Sequence, residues 1–140
     1  MLVVPTHHYP HSQPLSLSDF PTGFGYLASS LKKAGHEVIG LNPNNLQGYP
    51  SNQIALQTVL SQKLSQCKPD LIATGGLATS YGFFEDCIRF CRQLAPDVPI
   101  VLGGQIVTND AEDIVRLLKP DYAVVGEGEQ AIIDIAGCAT

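Results

Sequence analysis

Residues 71–82 read LIATGGLATSYG: an apolar run that ends on two adjacent glycines, with the hydroxyl residues Thr79 and Ser80 close behind. Glycine in a strand packs nothing and weakens it. Paired glycines at a strand end therefore mark a bulge or turn, or a place where another backbone or a ligand comes close. A second run, PIVLGG at 99–104, ends the same way. Both belong to a series of apolar runs separated by helical patterns, and that series decides the fold class.

The series begins with MLVVP at 1–5, a short continuous strand. After a long stretch rich in proline, Thr22 to Ala34 turns helical: Leu27, Leu31 and Ala34 share a face, Thr22 or Asp19 can cap, and Gly35 stops the helix. HEVIGL at 36–41 is the second strand. Leu56, Leu60, Leu64 and Cys67 then line up at helical spacing until Pro69 forbids continuation, and DLIATGG at 70–76 is the third strand. Phe84, Ile88, Cys91 and Leu94 give the next helix its buried face before PIVLGG. Asp110 to Leu118 is a fourth helix, DYAVVG at 121–126 a fifth strand, and GEQAIIDIAG opens a fifth helix. Strands so uniformly apolar are buried on both faces of a parallel sheet flanked by helices. The predicted architecture is a doubly wound α/β domain of three layers with strand order 2-1-3-4-5.

That order has a functional consequence. In open parallel sheets ligands bind beyond the carboxyl ends of the strands where the winding reverses, here between the first and third strands. The long segment THHYPHSQPLSLSDFPT, the LIATGGLATSYG turn, GGQIVT and GEGE all fall on that edge. Loops this long between strand and helix are commonly functional.

Composition narrows the partner. The chain has 140 residues, 44% hydrophobic and 15% charged, which is enough for one domain with a real core. A net charge of −5 with no basic stripe argues against a nucleic-acid or anionic-membrane footprint. No apolar run reaches the roughly 20 residues of a membrane span, and MLVVPTHHYPHS lacks the basic start and apolar stretch of a signal peptide, so a cytoplasmic location is expected. The four cysteines form no CxxC pair, and reduced, mostly buried thiols are expected. Cys87 and Cys91, one helical turn apart, read as core positions.

Familiar chemistries mostly fail on spacing. Gly23-Phe24-Gly25-Tyr26-Leu27-Ala28 matches G-x-G-x-x-A, but it lies far past the first strand, and the second strand ends Leu41-Asn42 with no acid for a ribose. A phosphoacceptor receiver needs a carboxylate at the end of the third strand, where Gly75 and Gly76 stand. No nucleophile elbow G-x-S-x-G occurs. His7, His8 and His11 in the long loop are open to two readings: surface histidines, or ligands and bases at the switch point. Glu127 and Glu129 read either as an acid pair or as carboxylates that favour the positive end of the last helix.

The ordered set PTGFGYLASSLKKAGHEV, PDLIATGGLATS, PDVPIVLGGQIVTNDAEDIV and DYAVVGEGEQAI resembles the cobalamin-binding domain that precedes the catalytic barrel in B12-dependent radical SAM proteins. The resemblance runs from Met1 to about Ile135. It implies a flavodoxin-like domain that holds the nucleotide tail of cobalamin in a slot beside the sheet. The matching positions are Thr22, Gly23, Gly25, Gly75, Gly76, Leu77, Thr79, Gly103, Gly104, Thr108, Gly126 and Glu127. A tail wedged beside a sheet demands positions without side chains, and the four glycines at neighbouring strand ends provide them.

Two departures from related patterns stand out. Methionine-synthase-like relatives end the third strand on Ser-x-Leu; here the residues are Gly75-Gly76-Leu77. They also carry Asp-x-His-x-x-Gly with a histidine that binds cobalt, where this chain has Asp19-Phe20-Pro21-Thr22-Gly23. The resemblance thus implies cobalt without a protein nitrogen ligand, His7, His8 and His11 being the residues it would otherwise recruit. CxxxCxxC is absent, so a 4Fe-4S cluster and S-adenosylmethionine are expected only in a barrel outside this chain, whose reaction these residues do not give. A scaffold domain of the same fold without B12, packed against a catalytic partner, and a flavin or nucleotide module are the alternative readings.

Overall fold

The computed structural model describes residues 1–6 and 21–139. Its elements run β1 (Leu2–Val3), α1 (Thr22–Lys33), β2 (Gly40–Leu41), α2 (Asn52–Gln66), β3 (Ile72–Gly75), α3 (Tyr81–Leu94), β4 (Ile100–Gly103), α4 (Gln105–Leu118), β5 (Tyr122–Ala123) and α5 (Glu129–Ala139). Two single 3₁₀ turns, Pro43–Asn45 and Ala78–Ser80, sit in the connections. All strand pairs are parallel and the order is β2-β1-β3-β4-β5, as the alternation of runs predicts.

Strand alternation sorts the core into two layers. Val3, Ile72, Ile100 and Leu102 point to one face, where they meet Leu56 and Leu60 of α2, Phe83 and Phe84 of α3, and Ile106 and Ile114 of α4. Leu2, Val4, Ala73 and Val101 point to the other, against Phe24 and Leu31 of α1 and Ile132 and Ala136 of α5. The central strands β3 and β4 are buried almost throughout. The edge strands are not: Gly40 and Tyr122 are exposed, so burial on both faces holds for the middle of the sheet alone.

Local chemistry accounts for the helix ends. α1 stops in a Schellman motif: Gly35 takes φ +91°, its amide donates to the Lys32 carbonyl and that of His36 to the Leu31 carbonyl. Its first turn is entered from Pro21, with no side-chain cap from Thr22; Asp19 lies outside the described residues. α2 is capped by Ser51, whose Oγ accepts from the Ile54 amide at 3.3 Å.

α4 departs from expectation. It starts at Gln105 rather than Asp110, because Gly104 at φ +86° turns the chain straight out of β4 into a helical turn. Asp110 itself is non-helical (φ −153°, ψ 59°) and separates the turn 105–109 from the helix that follows. The cysteines divide: Cys87 and Cys91 are buried, Cys67 is half-buried and Cys138 exposed. The hydrogen bond it shares with Cys91, together with burial, pushes the Cys87 thiol well above its ordinary range. Among the described residues no helix is long and apolar enough to cross a membrane.

Candidate functional site

A cavity of about 410 Å³ opens at the carboxyl ends of β1, β3, β4 and β5, within the size range of small-molecule sites. Its floor is the sheet, through Ala73, Thr74, Val101 and Val124, and one wall is the α1/α5 layer, through Phe24, Leu27 and Ile132. The rim is formed by Pro5, Pro21, Leu77, Thr79, Ser80 and the loop Gly126–Glu129. The walls are chiefly apolar and the polar atoms gather at the mouth. Leu77 is 54% exposed there, an apolar side chain held in solvent at the edge of an apolar cleft.

Nine of the twelve positions singled out from sequence come together on this cavity: Gly23, Gly75, Gly76, Leu77, Thr79, Gly103, Gly104, Gly126 and Glu127. Thr22 and Gly25, exposed on α1, and Thr108, in the first turn of α4, lie outside its lining. His7, His8 and His11 lie outside the described residues. Phe24, Leu27, Val124 and Ile132 were not singled out from sequence, although Leu27 belongs to the predicted buried face of α1. They are apolar residues on a helix or strand face, and nothing in the pattern separates a cavity wall from ordinary core.

The four strand-end glycines have different physical reasons. A β-carbon on Gly75 would stand 2.4 Å from the carbonyl oxygen of Gly103, and one on Gly104 would stand 2.5 Å from the amide nitrogen of Gly76. Both positions are emptied by the approach of one backbone to another. The pairing is tied by the Gly76 amide, which donates to the Gly103 carbonyl at 3.2 Å, and by the Ile106 amide, which donates to the Gly76 carbonyl at 3.0 Å. A β-carbon on Gly76 would meet Phe84 Cζ at 3.4 Å and Pro5 Cγ at 3.5 Å. Gly103 differs: a β-carbon there meets nothing nearer than Val124 Cβ at 3.8 Å, so its missing side chain is cavity volume.

The end of β1 is held by Asn44, whose Nδ2 donates to the Pro5 carbonyl at 2.9 Å and to Asn42 Oδ1 at 2.8 Å. Thr74 Oγ1 donates to the Val3 carbonyl at 2.8 Å and so spans β3 and β1 across the switch point. Thr6, next to Pro5, is 2% exposed, and its buried hydroxyl has no hydrogen-bond partner among the described residues, which is uncommon for a buried polar atom.

Among the described residues, the charges on the lining are two carboxylates. Glu129 occupies the first turn of α5, where the helix dipole favours it, and Glu127 stands exposed before it. Both also line the cavity, so the acid-pair and helix-end readings describe the same place. No His, Cys, Lys or Arg lines the cavity among the described residues, nor do His, Cys, Asp and Glu gather into a metal-holding group. Such a surface is suited to enclosing an apolar body and hydrogen-bonding its periphery.

Comparison with known proteins bears on the fold and the family. The domain is similar in structure to the radical S-adenosylmethionine methyltransferase TsrM from Kitasatospora setae, solved with tryptophan substrate and a SAM analog bound. The TM-score is 0.75 at 20% identity, over 99% of this chain and 25% of that one. It also resembles the response regulator RcsB of Salmonella typhimurium, with TM-score 0.57 at 16% identity over 99% of this chain and 58% of that one. At these identities the likeness is one of fold. In sequence, the chain is 27% identical over 116 residues to the anaerobic magnesium-protoporphyrin IX monomethyl ester cyclase of Cereibacter sphaeroides, a match over 82% of this chain and 18% of the cyclase. A family model described as B12 binding domain matches residues 19–136. With the doubly wound sheet, the cavity at its switch point and a family match across most of its length, the chain belongs to the B12-binding domain family.

Proposed function

We propose that the domain binds cobalamin at this cavity, with the nucleotide tail seated between the sheet and the α1/α5 layer and the corrin across the mouth. The observation that carries the reading is Gly103, which faces the apolar cleft with no side chain and with nothing nearer to a β-carbon there than Val124 at 3.8 Å. Phe24, Leu27, Val101, Val124 and Ile132 would enclose the flat heterocycle of the tail. The corrin carries neutral carboxamides, which donate hydrogen bonds, and Thr79, Ser80, Glu127 and Glu129 supply acceptors at the rim. When bound, cobalamin supplies a cobalt centre for methyl-transfer or radical chemistry. The domain's own part is to hold and orient it.

The catalytic part of this reading lies in a radical SAM barrel carrying the 4Fe-4S cluster and S-adenosylmethionine, with this domain as its cobalamin carrier in the cytoplasm. The sizes support it: the chain spans 18% of the cyclase and 25% of the methyltransferase chain it resembles. The test is direct. The purified domain is mixed with hydroxocobalamin, desalted, and its visible spectrum recorded. Stoichiometric corrin absorbance is expected. Colourless protein at high micromolar ligand would overturn the reading in favour of a scaffold domain that packs on its catalytic partner without B12.

A further inference from the structure

Thr108 does not touch the cavity, yet it joins two of the loops that shape it. Its Oγ1 donates to the Gly104 carbonyl at 3.2 Å and accepts from the Gly126 amide at 3.0 Å. Gly126 opens the segment Gly126–Glu129, which walls the cavity at the end of β5, and Gly128 of that segment abuts Leu27 of α1. One hydroxyl on the α4 side of the sheet thus holds the wall that faces α1.

The hydroxyl is itself firmly placed. Thr108 belongs to the turn 105–109, whose Ile106 and Val107 are 2% and 0% exposed in the core. Ile106 also donates to the Gly76 carbonyl, and the Val107 and Thr108 amides donate to that of Gly104. Beyond the turn, the non-helical Asp110 separates it from the rest of α4. The turn thus ties the end of β3 to that of β4, and among the described residues its hydrogen bond to the segment after β5 is made by the Thr108 hydroxyl.

We propose that Thr108 is a positioning residue: its hydroxyl fixes the Gly126–Glu129 wall and so sets the affinity of the cavity for its ligand. The affinity part rests on the cobalamin reading, whereas the structural part stands on the hydrogen bonds alone. Thr108→Val keeps the shape of the side chain and removes the acceptor; Thr108→Ser keeps it.

Amide hydrogen exchange of Gly126, followed by NMR on the ligand-free 140-residue chain, decides the structural part. Exchange should accelerate about tenfold in Thr108→Val and stay near wild type in Thr108→Ser, as expected for loss of one hydrogen bond of ordinary net strength. Titration with hydroxocobalamin decides the rest: affinity should fall about five- to tenfold in Thr108→Val and be restored in Thr108→Ser. Unchanged Gly126 exchange in Thr108→Val overturns the proposal, as does faster exchange with undiminished affinity. If wild type takes up no cobalamin, the functional reading fails while the exchange data still decide whether Thr108 holds the wall.

Discussion

Gly104 and Gly76 meet backbone to backbone, so closely that a β-carbon on Gly104 would lie 2.5 Å from the amide nitrogen of Gly76 and 2.9 Å from its carbonyl oxygen. Gly104 also holds φ +86°, where a side chain is strained in any surroundings. Gly104→Val is therefore expected to damage the fold itself, costing about 2–4 kcal/mol by strain and overpacking. Urea denaturation of the ligand-free domain checks it. Full stability in this variant would mean that β3 and β4 do not meet in this way.

Gly103→Val is the complementary variant. The added side chain has room beside Val124 and fills the cavity instead of a neighbouring backbone. The melting temperature should stay within a few degrees of wild type, while hydroxocobalamin uptake after desalting is lost. A stable variant that still retains the corrin would move the tail away from Gly103.

The third prediction concerns cobalt. With Asp19-Phe20-Pro21-Thr22-Gly23 standing where a cobalt-binding histidine motif would be needed, replacing His7, His8 and His11 together by alanine should leave the visible spectrum of bound cobalamin unchanged. A shift in the absorption bands would assign a nitrogen ligand to that loop.

A fourth follows from the charges. Glu127 and Glu129 line the cavity with no cationic side chain among the described residues to offset them, so a ligand with a terminal phosphate dianion meets like charge there. Flavin mononucleotide at millimolar concentration should give no thermal shift, since only a ligand that binds the native state raises its apparent stability. A clear upward shift would favour a flavin module.

The core offers a fifth test that reaches the site. Phe84 is fully buried, packs edge-to-face on Phe83 with ring centroids 5.8 Å apart, and presents Cζ to Gly76. Phe84→Ala should cost about 3–5 kcal/mol in chemical denaturation. It should also weaken cobalamin uptake where the domain remains folded, because the turn at Gly76 loses its backing.

The strand order and the edge that carries the site were legible because apolar runs and helical patterns alternate, and a doubly wound sheet places every βα turn on one side. Positions 75, 76, 103 and 104 were legible as glycines, but the reason for each was not. Absence of a side chain looks the same in sequence whether it admits a ligand or another strand's backbone; only the distances separate Gly103 from Gly75 and Gly104. The start of α4 was missed for a related cause. A helix entered directly from a glycine at positive φ needs no polar cap, and the non-helical Asp110 looked like a beginning. The hydrogen bonds of Thr108 run to Gly104 and Gly126, and the second is a pairing across 18 residues that no local pattern reports.

Ala73 and Ile132 line the cavity at the carboxyl edge and also a second opening, of about 290 Å³, between the sheet and the α1/α5 layer at the opposite edge. Ala73 on the sheet and Ile132 on α5 are thus common to both hollows, which meet along the face that Leu2 and Val101 also share. Residue 73 therefore lies where depth is set: a larger side chain there is expected to shorten the reach of a ligand entering from the carboxyl edge, leaving the mouth at Leu77 and Glu127 as it is.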